Sequence, residues 1–453
     1  MSSHVGPTRG PDAVSILTVY LCVLLAIPAP MVVAPLGTAG SPATILAMAA
    51  FCWWLWFHLH RDEPVVTGRQ SVRAAMLGWL LIMLVVYAHA MAGPMVSDEI
   101  SPADSGMLRL VAMAGIVLVA NDGIPTLERH QTIARRLVIG VGIVAILGIV
   151  QLATKRLWVD EIKIPGLTSG ASGWELATRS GLARPSGTAT HPIEYGMVLT
   201  TVLPLAMAFA RSVPTRRWLF RLLLGAIGMM VMVVISRSAM ICAAVGIVVM
   251  VLSWPLMAKL RSLLFVAAMA AVVFLTVPGV LGTITNLFTG IRNDSSVESR
   301  TGSYDIAFEF VSRSPVIGRG FGTFLPKYWI LDNGYLGLLI EGGVLGLAGL
   351  LVLITAAATV AHRATRLAKS EFEADIARAL VAGVVAGAAG LAFFDTFAFP
   401  QSAGVFFLLI GMSGALWRLS RDRDRAEAGT NREQVSGRAD AARQADRRLG
   451  AST

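Results

Sequence analysis

Apolar residues in this chain run in long blocks separated by short polar interruptions, over nearly its whole length. Crossing about 30 Å of hydrocarbon as a helix takes roughly 20 apolar residues. By that length the pattern predicts twelve spans, near 14–36, 41–60, 73–92, 106–120, 136–153, 191–210, 217–235, 238–254, 262–279, 332–361, 376–396 and 401–418. The expected fold is all-α, a polytopic integral membrane helical bundle. Pro28, Pro30 and Pro35 are expected to kink or break the first span, where neighbouring helices can take up the freed carbonyls. Residues 1–13 are polar and read as a cytoplasmic N-terminal tail with no cleavable signal, because the apolar run after them belongs to the first span.

Charge orients the bundle. Alternate short loops are basic: 61–73 holds Arg61, Arg69 and Arg73, 121–136 holds Arg129, Arg135 and Arg136, and 211–221 holds four arginines. Loops 255–262 and 361–378 continue the trend with Lys259 and Arg261, then Arg363, Arg366, Lys369 and Arg378. The opposite loops 37–40, 93–105 and 397–400 carry no Lys or Arg, and Arg237 is the exception to the pattern. With both termini cytoplasmic, every basic loop faces the cytoplasm. The two long loops, 154–190 and 280–331, then fall outside it. Each holds five Lys/Arg, which long loops tolerate. Residues 419–453 are expected to be a disordered basic cytoplasmic tail, or a frayed helix at anionic headgroups.

Composition agrees. Of 453 residues 55% are hydrophobic and 15% charged, and the mean hydropathy is +0.67. A soluble domain has too little interior for that much apolar surface. The net charge of +10 would suggest nucleic acid in a soluble protein, but here the basic residues flank apolar runs, so no nucleic-acid partner is expected. Cys22, Cys52 and Cys242 lie in apolar segments and read as small buried hydrophobes, with neither disulfide framework nor metal spacing.

Ionisable groups at or beside membrane depth mark candidate chemistry. Four stretches qualify, all on the outer side. In 181–196, Arg184 precedes Pro185 in extended backbone, Gly187 permits a turn, and Thr190 is a cap for the helix starting near Pro192. Arg184 above a helix N-terminus suits a phosphate; a snorkelling arginine over an ordinary cap is the alternative. Ser236-Arg237-Ser238 is a tight turn, with a lipid headgroup contact as the plainer explanation. The third stretch runs from Glu298 through Arg300 to Phe310, with a weak apolar face suited to the membrane surface, and on to Gly318-Arg319-Gly320. Those glycines have neither the strand nor the Lys of a nucleotide loop, and predict a sharp return to the membrane. In the fourth, Asp332 and Asn333 stand at the mouth of the tenth span, with Glu341 roughly 13 Å deeper and on the opposite face of a regular helix. Asp332, near water, is the better catalytic base, and Glu341 is expected to bond a neighbouring helix.

In this order the stretches resemble the O-antigen ligase and polymerase superfamily of bacterial envelope glycosyltransferases. The resemblance rests on Arg184 with Gly187 and His191-Pro192, the Ser236-Arg237-Ser238 turn, and Arg300 followed by Ser314-Pro315, Gly318 and Gly320. Asp332-Asn333, Tyr335 and Glu341-Gly342 follow, then a late Phe399-Pro400-Gln401 turn, so that about residues 180–415 are covered. It implies a fold like the C-type glycosyltransferases, in the bacterial cytoplasmic (inner) membrane, with the active site facing outward. It further implies transfer of glycan from an undecaprenyl-diphosphate-linked oligosaccharide to a hydroxyl on a glycan or lipid acceptor, without metal or other cofactor. Polysaccharide polymerisation is the favoured form; ligation to another acceptor, or transport of the lipid-linked glycan, are the alternatives. Arg184, Arg300 and Arg237 are the carried-over diphosphate ligands. Ligases of this family commonly have His before the Asn of the fourth motif, where this chain has Asp332, which argues mildly against a lipid A core ligase and toward a polymerase or other glycan transferase. A carboxylate can accept the acceptor's proton equally well. His191 and Asp395 are the other possible bases.

Overall fold

The computed structural model describes residues 12–60, 68–169, 175–179, 181–213, 215–277, 279, 282–283, 285 and 295–450, with the backbone alone for 295–301 and 430–450. Thirteen α-helices can be numbered within them. They are α1 (Ala13–Ala26), α2 (Pro42–Leu59), α3 (Ser71–Ala92), α4 (Ser97–Gly123), α5 (Leu127–Thr154), α6 (Pro192–Ser212) and α7 (Arg217–Val233), then α8 (Arg237–Val251), α9 (Leu256–Thr276), α10 (Ser295–Arg313), α11 (Gly334–Thr365), α12 (Glu371–Leu391) and α13 (Pro400–Gly450). Each of the twelve expected spans overlaps one of these, and α10 is the helix left over. Among the described residues nine helices are long and apolar enough to cross a membrane, while α1 and α8 are shorter apolar helices of 14 and 15 residues. The chain is a polytopic helical membrane protein.

Helix starts follow local chemistry. Side-chain oxygens of Asp12, Ser41, Thr126, Ser236, Asn333 and Ser370 accept a backbone N–H from the first turn of the helix each precedes. The prolines after α1 do end it, and the chain continues through a short extended piece and a 3-10 turn, Ala34–Gly40. Helices α4, α6, α12 and α13 form the buried centre, whereas on α9 only Val273 is buried. Cys242 is buried as expected, but Cys22 and Cys52 lie on exposed faces, where apolar lipid satisfies a thiol as well as protein does.

The polar loops sort into two ends. At one, Asp122 accepts from Trp54 Nε1 (2.9 Å) and pairs with Arg73 (3.4 Å), while Arg129 is bidentate to Asp12 (2.7 and 2.6 Å). At the same end buried Asp375 gathers Arg211, Ser212, Trp254 and Arg378. At the other, Arg319 meets Glu99 (2.5 Å) and Lys327 meets Asp98. Loops that the charge pattern assigns to one side thus bond to loops of that side.

Two expectations change. Helix α13 does not stop at 418, where the last expected span ends, but continues to Gly450. Its first extra turns are anchored by Arg423 to Glu373 (3.0 Å) and Lys369 to Glu427, and a helix already nucleated in the bundle propagates through Ala, Arg, Glu and Gln at little cost. Helix α10 does not keep its apolar face for the membrane surface. Ala307 is fully buried against Leu336 and Ile340 of α11, with Phe310 beside them.

The glycine-rich return is interlocked with α11. At Gly343 (φ +63) the helix breaks, which orphans carbonyls before the break and N–H groups after it. The loop supplies both partners: Arg319 N and Gly320 N donate to the carbonyls of Ile340 (3.1 Å) and Glu341 (2.9 Å), and Val344 N and Leu345 N donate to those of Pro315 (2.9 Å) and Val316 (3.1 Å).

Candidate functional site

The sequence candidates at the end carrying the long loops fall into two groups. The first is built on a short hairpin, β3 (Ala177–Arg179) paired with β4 (Leu182–Arg184). Its register sets Ala177 opposite Arg184 and Arg179 opposite Leu182, so both arginines occupy one face. Arg184 is 8% exposed and its Nε donates to the carbonyl of Val234 (2.8 Å), at the end of α7. Among the described residues it has no carboxylate partner. Burial, and then the charge of Arg179, lower its pKa to about 10, so it remains a cation at neutral pH. The carbonyl it grips opens the turn into α8. There Ile235 holds φ +50, a costly setting for a β-branched residue, and Ser236 caps the helix that Arg237 begins.

His191 completes this group and corrects the expected cap. It is His191, not Thr190, whose side chain accepts at the start of α6: Ile193 N donates to Nδ1 (3.1 Å). Thr190 instead donates its backbone N–H to Glu194 Oε2 (2.8 Å). Burial, with help from Arg184, pushes the His191 pKa down to about 4. The ring is therefore neutral, and because Nδ1 accepts, the proton sits on Nε2. In this arrangement His191 offers a donor, not a base. Glu194 Oε1 accepts from Gln401 N (2.9 Å), while Gln401 Nε2 bonds Thr188 Oγ1 (2.9 Å). The late Phe399-Pro400-Gln401 turn is thereby tied to the loop that carries Arg184. Gly187 (φ +60) has no room for a Cβ, which would stand 2.7 Å from Val144 Cγ1.

The second group gathers carboxylates at the mouth of α11. Asn333 caps α11, accepting from Tyr335 N and Leu336 N (both 3.1 Å), which leaves Asp332 one residue outside the cap and partly exposed. Asp395 follows α12 and accepts from Phe397 N (3.1 Å). Burial raises its pKa and the Asp332 carboxylate raises it further, whereas Arg109 pulls it down. Arg109 of α4 reaches the same place, its Nη1 donating to the Phe397 carbonyl (3.0 Å) and its buried Nε without a hydrogen-bond partner among the described residues. Glu341 does not bond a neighbouring helix: its Oε1 accepts from Phe324 N (3.0 Å) and so holds the glycine-rich loop. Tyr335 donates its hydroxyl to the Ala388 carbonyl (2.7 Å). An apolar cluster of Met197, Cys242 and Phe394, with Ile193 and Phe399 against it, links the helices of the two groups.

Arg300 lies on α10, and its side chain is outside the described residues. Two contributors escaped the sequence reading. Arg109 sits inside an apolar span, and Arg179 becomes visible only through the hairpin register. Among the described residues no group of three or more His, Cys, Asp or Glu side chains is placed to hold a metal ion.

The chain is thus a polytopic helix bundle with a buried arginine, a polar cap and clustered carboxylates at one end. The O-antigen ligase family model matches residues 222–351, from α7 into α11, and supports the O-antigen ligase/polymerase superfamily for this chain. The match includes Arg237, Arg300, Asp332, Asn333, Tyr335 and Glu341, and leaves Arg184, His191 and Asp395 outside it. No curated protein matches the chain. In general terms the family supports glycan transfer of the ligase or polymerase type, by a glycosyltransferase-like membrane enzyme acting on lipid-linked glycan.

Proposed function

We propose that the chain transfers glycan from an undecaprenyl-diphosphate carrier to a hydroxyl acceptor on the outer face of the bacterial cytoplasmic membrane, and that it builds polymer. The observation that carries this reading is Arg184. It is a cation buried beside a second arginine, with a carbonyl as its acceptor among the described residues, and a diphosphate oxygen would relieve both its desolvation and its repulsion from Arg179. Arg237, three residues beyond the carbonyl that Arg184 grips, and Arg300 on α10 are the further diphosphate ligands of this reading. The acceptor hydroxyl gives its proton to Asp332 as its oxygen bonds to the anomeric carbon. The anomeric C–O bond to phosphate breaks, and the electron pair leaves with the lipid diphosphate. Fixed guanidiniums stabilise that leaving group more as its charge develops than before, which accelerates the step. A single displacement of this kind inverts the anomeric centre. Asp395, raised by burial, supports Asp332, and Asn333 fixes the backbone around it.

Purified protein incubated with a labelled undecaprenyl-diphosphate oligosaccharide, with products sized on a gel, tests the reading. A ladder is expected. A single shifted acceptor would instead mean ligation. Arg184→Ala is expected to lower turnover about 100-fold or more, and Asp332→Asn to stop transfer while donor binding persists. Unchanged turnover in both variants would remove the assignment.

A further inference from the structure

A groove of about 690 Å³, within the size range of ligand-binding cavities, runs among α6, α7, α8 and α9 from the end opposite Arg184 to Met232 and Met240, which flank the turn between α7 and α8. Its walls are apolar along most of their length, with Met207, Ile247, Phe265 and Met269 among them. One end is closed by Arg211, Arg217, Arg221 and Arg261. Two of these four are engaged: Arg211 pairs with Asp375 and Glu371, and Arg217 Nε donates to the Val213 carbonyl (2.6 Å). Arg221 and Arg261 are exposed and have no partner among the described residues. Trp254 lies at the same end, its ring 4.9 Å from the Arg211 guanidinium, and Trp218, 69% exposed, is near it in sequence, as at a membrane–water interface. The outer wall, α9, makes little contact with the rest of the bundle, so the groove is open to a molecule arriving sideways through the bilayer.

We infer that this groove is a binding site for an anionic phospholipid of the cytoplasmic leaflet, with its phosphate on Arg221 and Arg261 and an acyl chain along the apolar walls. Charge complementarity selects this occupant. The cations lie at the end where the basic loops gather, which the positive-inside pattern assigns to the cytoplasm, whereas the donor's diphosphate in the proposed function is held at the other end. A water-filled groove with these walls would expose apolar surface inside the hydrocarbon layer, and an acyl chain removes that exposure.

The test titrates full-length protein in detergent with dioleoyl-phosphatidylglycerol, with dioleoyl-phosphatidylcholine and with undecaprenyl phosphate, counting bound lipid by native mass spectrometry. Phosphatidylglycerol is expected to bind at least about tenfold tighter than phosphatidylcholine. Replacing Arg221→Ala together with Arg261→Ala is expected to cost phosphatidylglycerol about thirty-fold, at the strength of one surface arginine each. Gly228 lines the groove, and a Cβ there would come no nearer than 3.8 Å to Met269, so Gly228→Leu has room to fill it. That variant is expected to lower binding of both phospholipids. Equal binding of the two by the unaltered protein would overturn the inference without any variant having to fold. So would displacement of phosphatidylglycerol by undecaprenyl phosphate, which would give the groove to the donor lipid.

Discussion

Asp332 and Glu341 stand nine residues apart around the start of one helix, and their surroundings give them different work. Glu341 accepts a backbone N–H from Phe324, so Glu341→Ala orphans a donor in the glycine-rich loop. Thermal unfolding in detergent should show a loss of about 1–3 kcal/mol, with transfer falling only as the fold does. Asp332 lies one residue outside the cap that Asn333 makes, and in the proposed function its loss falls on turnover. His191 gives a pH signature. Its pKa lies near 6.5 unfolded and about 4 folded. As pH falls below 6.5 the unfolded chain takes up a proton that the folded one refuses, so stability declines down to about pH 4, by up to about 3 kcal/mol. His191→Asn keeps a capping acceptor and should flatten that part of the melting-temperature profile relative to the unaltered protein; parallel profiles would show that the imidazole does not titrate there. Sequence made Asp332, Asn333 and Arg184 visible because each interrupts or borders an apolar run. Arg109 stayed hidden because one arginine among many apolar residues barely moves a span's hydropathy. Thr190 has the hydroxyl of a common cap, yet the imidazole of His191 takes that place.

Helices were legible as elements because length alone defines a crossing segment, so all twelve expected spans meet a helix. What joins them was less so. The three glycines around Arg319 announce a sharp turn, but Glu341-Gly342-Gly343 lies within the tenth expected span, and the sequence does not mark the break at Gly343 that the turn repairs. A Cβ on Gly343 would stand 2.3 Å from the Val316 carbonyl oxygen, at φ +63. Gly343→Ala should therefore separate loop from helix and cost about 2–4 kcal/mol, among the largest effects of a point change. Gly166, also at positive φ (+86) but with open space around it, serves as the control, and Gly166→Ala should cost only about 1–2 kcal/mol of backbone strain. Equal melting shifts in the two variants would mean that the interlock contributes nothing. The extension of α13 past 418 is hidden for a related reason. Nine arginines and six acids in residues 418–453 leave a disordered tail and a frayed helix both open by composition, and the same residue types extend a helix once a buried span has nucleated it.

At the scale of the molecule, the two ends carry opposite electrostatic designs. The basic-loop end uses buried aspartates, Asp122 and Asp375, each surrounded by donors from two or more helices, and these staple the bundle. At the end with the long loops, Arg184 is buried with no carboxylate partner among the described residues, and Asp332 and Asp395 stand within electrostatic reach of each other. Mutual satisfaction suits a structural end, and like charges held close suit an end that waits for a ligand. The whole reading therefore depends on which end faces out. Ser169 is exposed at the long-loop end and Thr215 at the basic end. With Cys22, Cys52 and Cys242 replaced by Ala, Ser169→Cys should react with a membrane-impermeant maleimide added to intact cells whose outer barrier is opened. Thr215→Cys should react only after the cytoplasmic membrane is breached. The reverse pattern would set the arginine and aspartate groups against the cytoplasm, where an outward-presented lipid-linked glycan could not reach them, and would move the anionic-lipid groove to the outer leaflet.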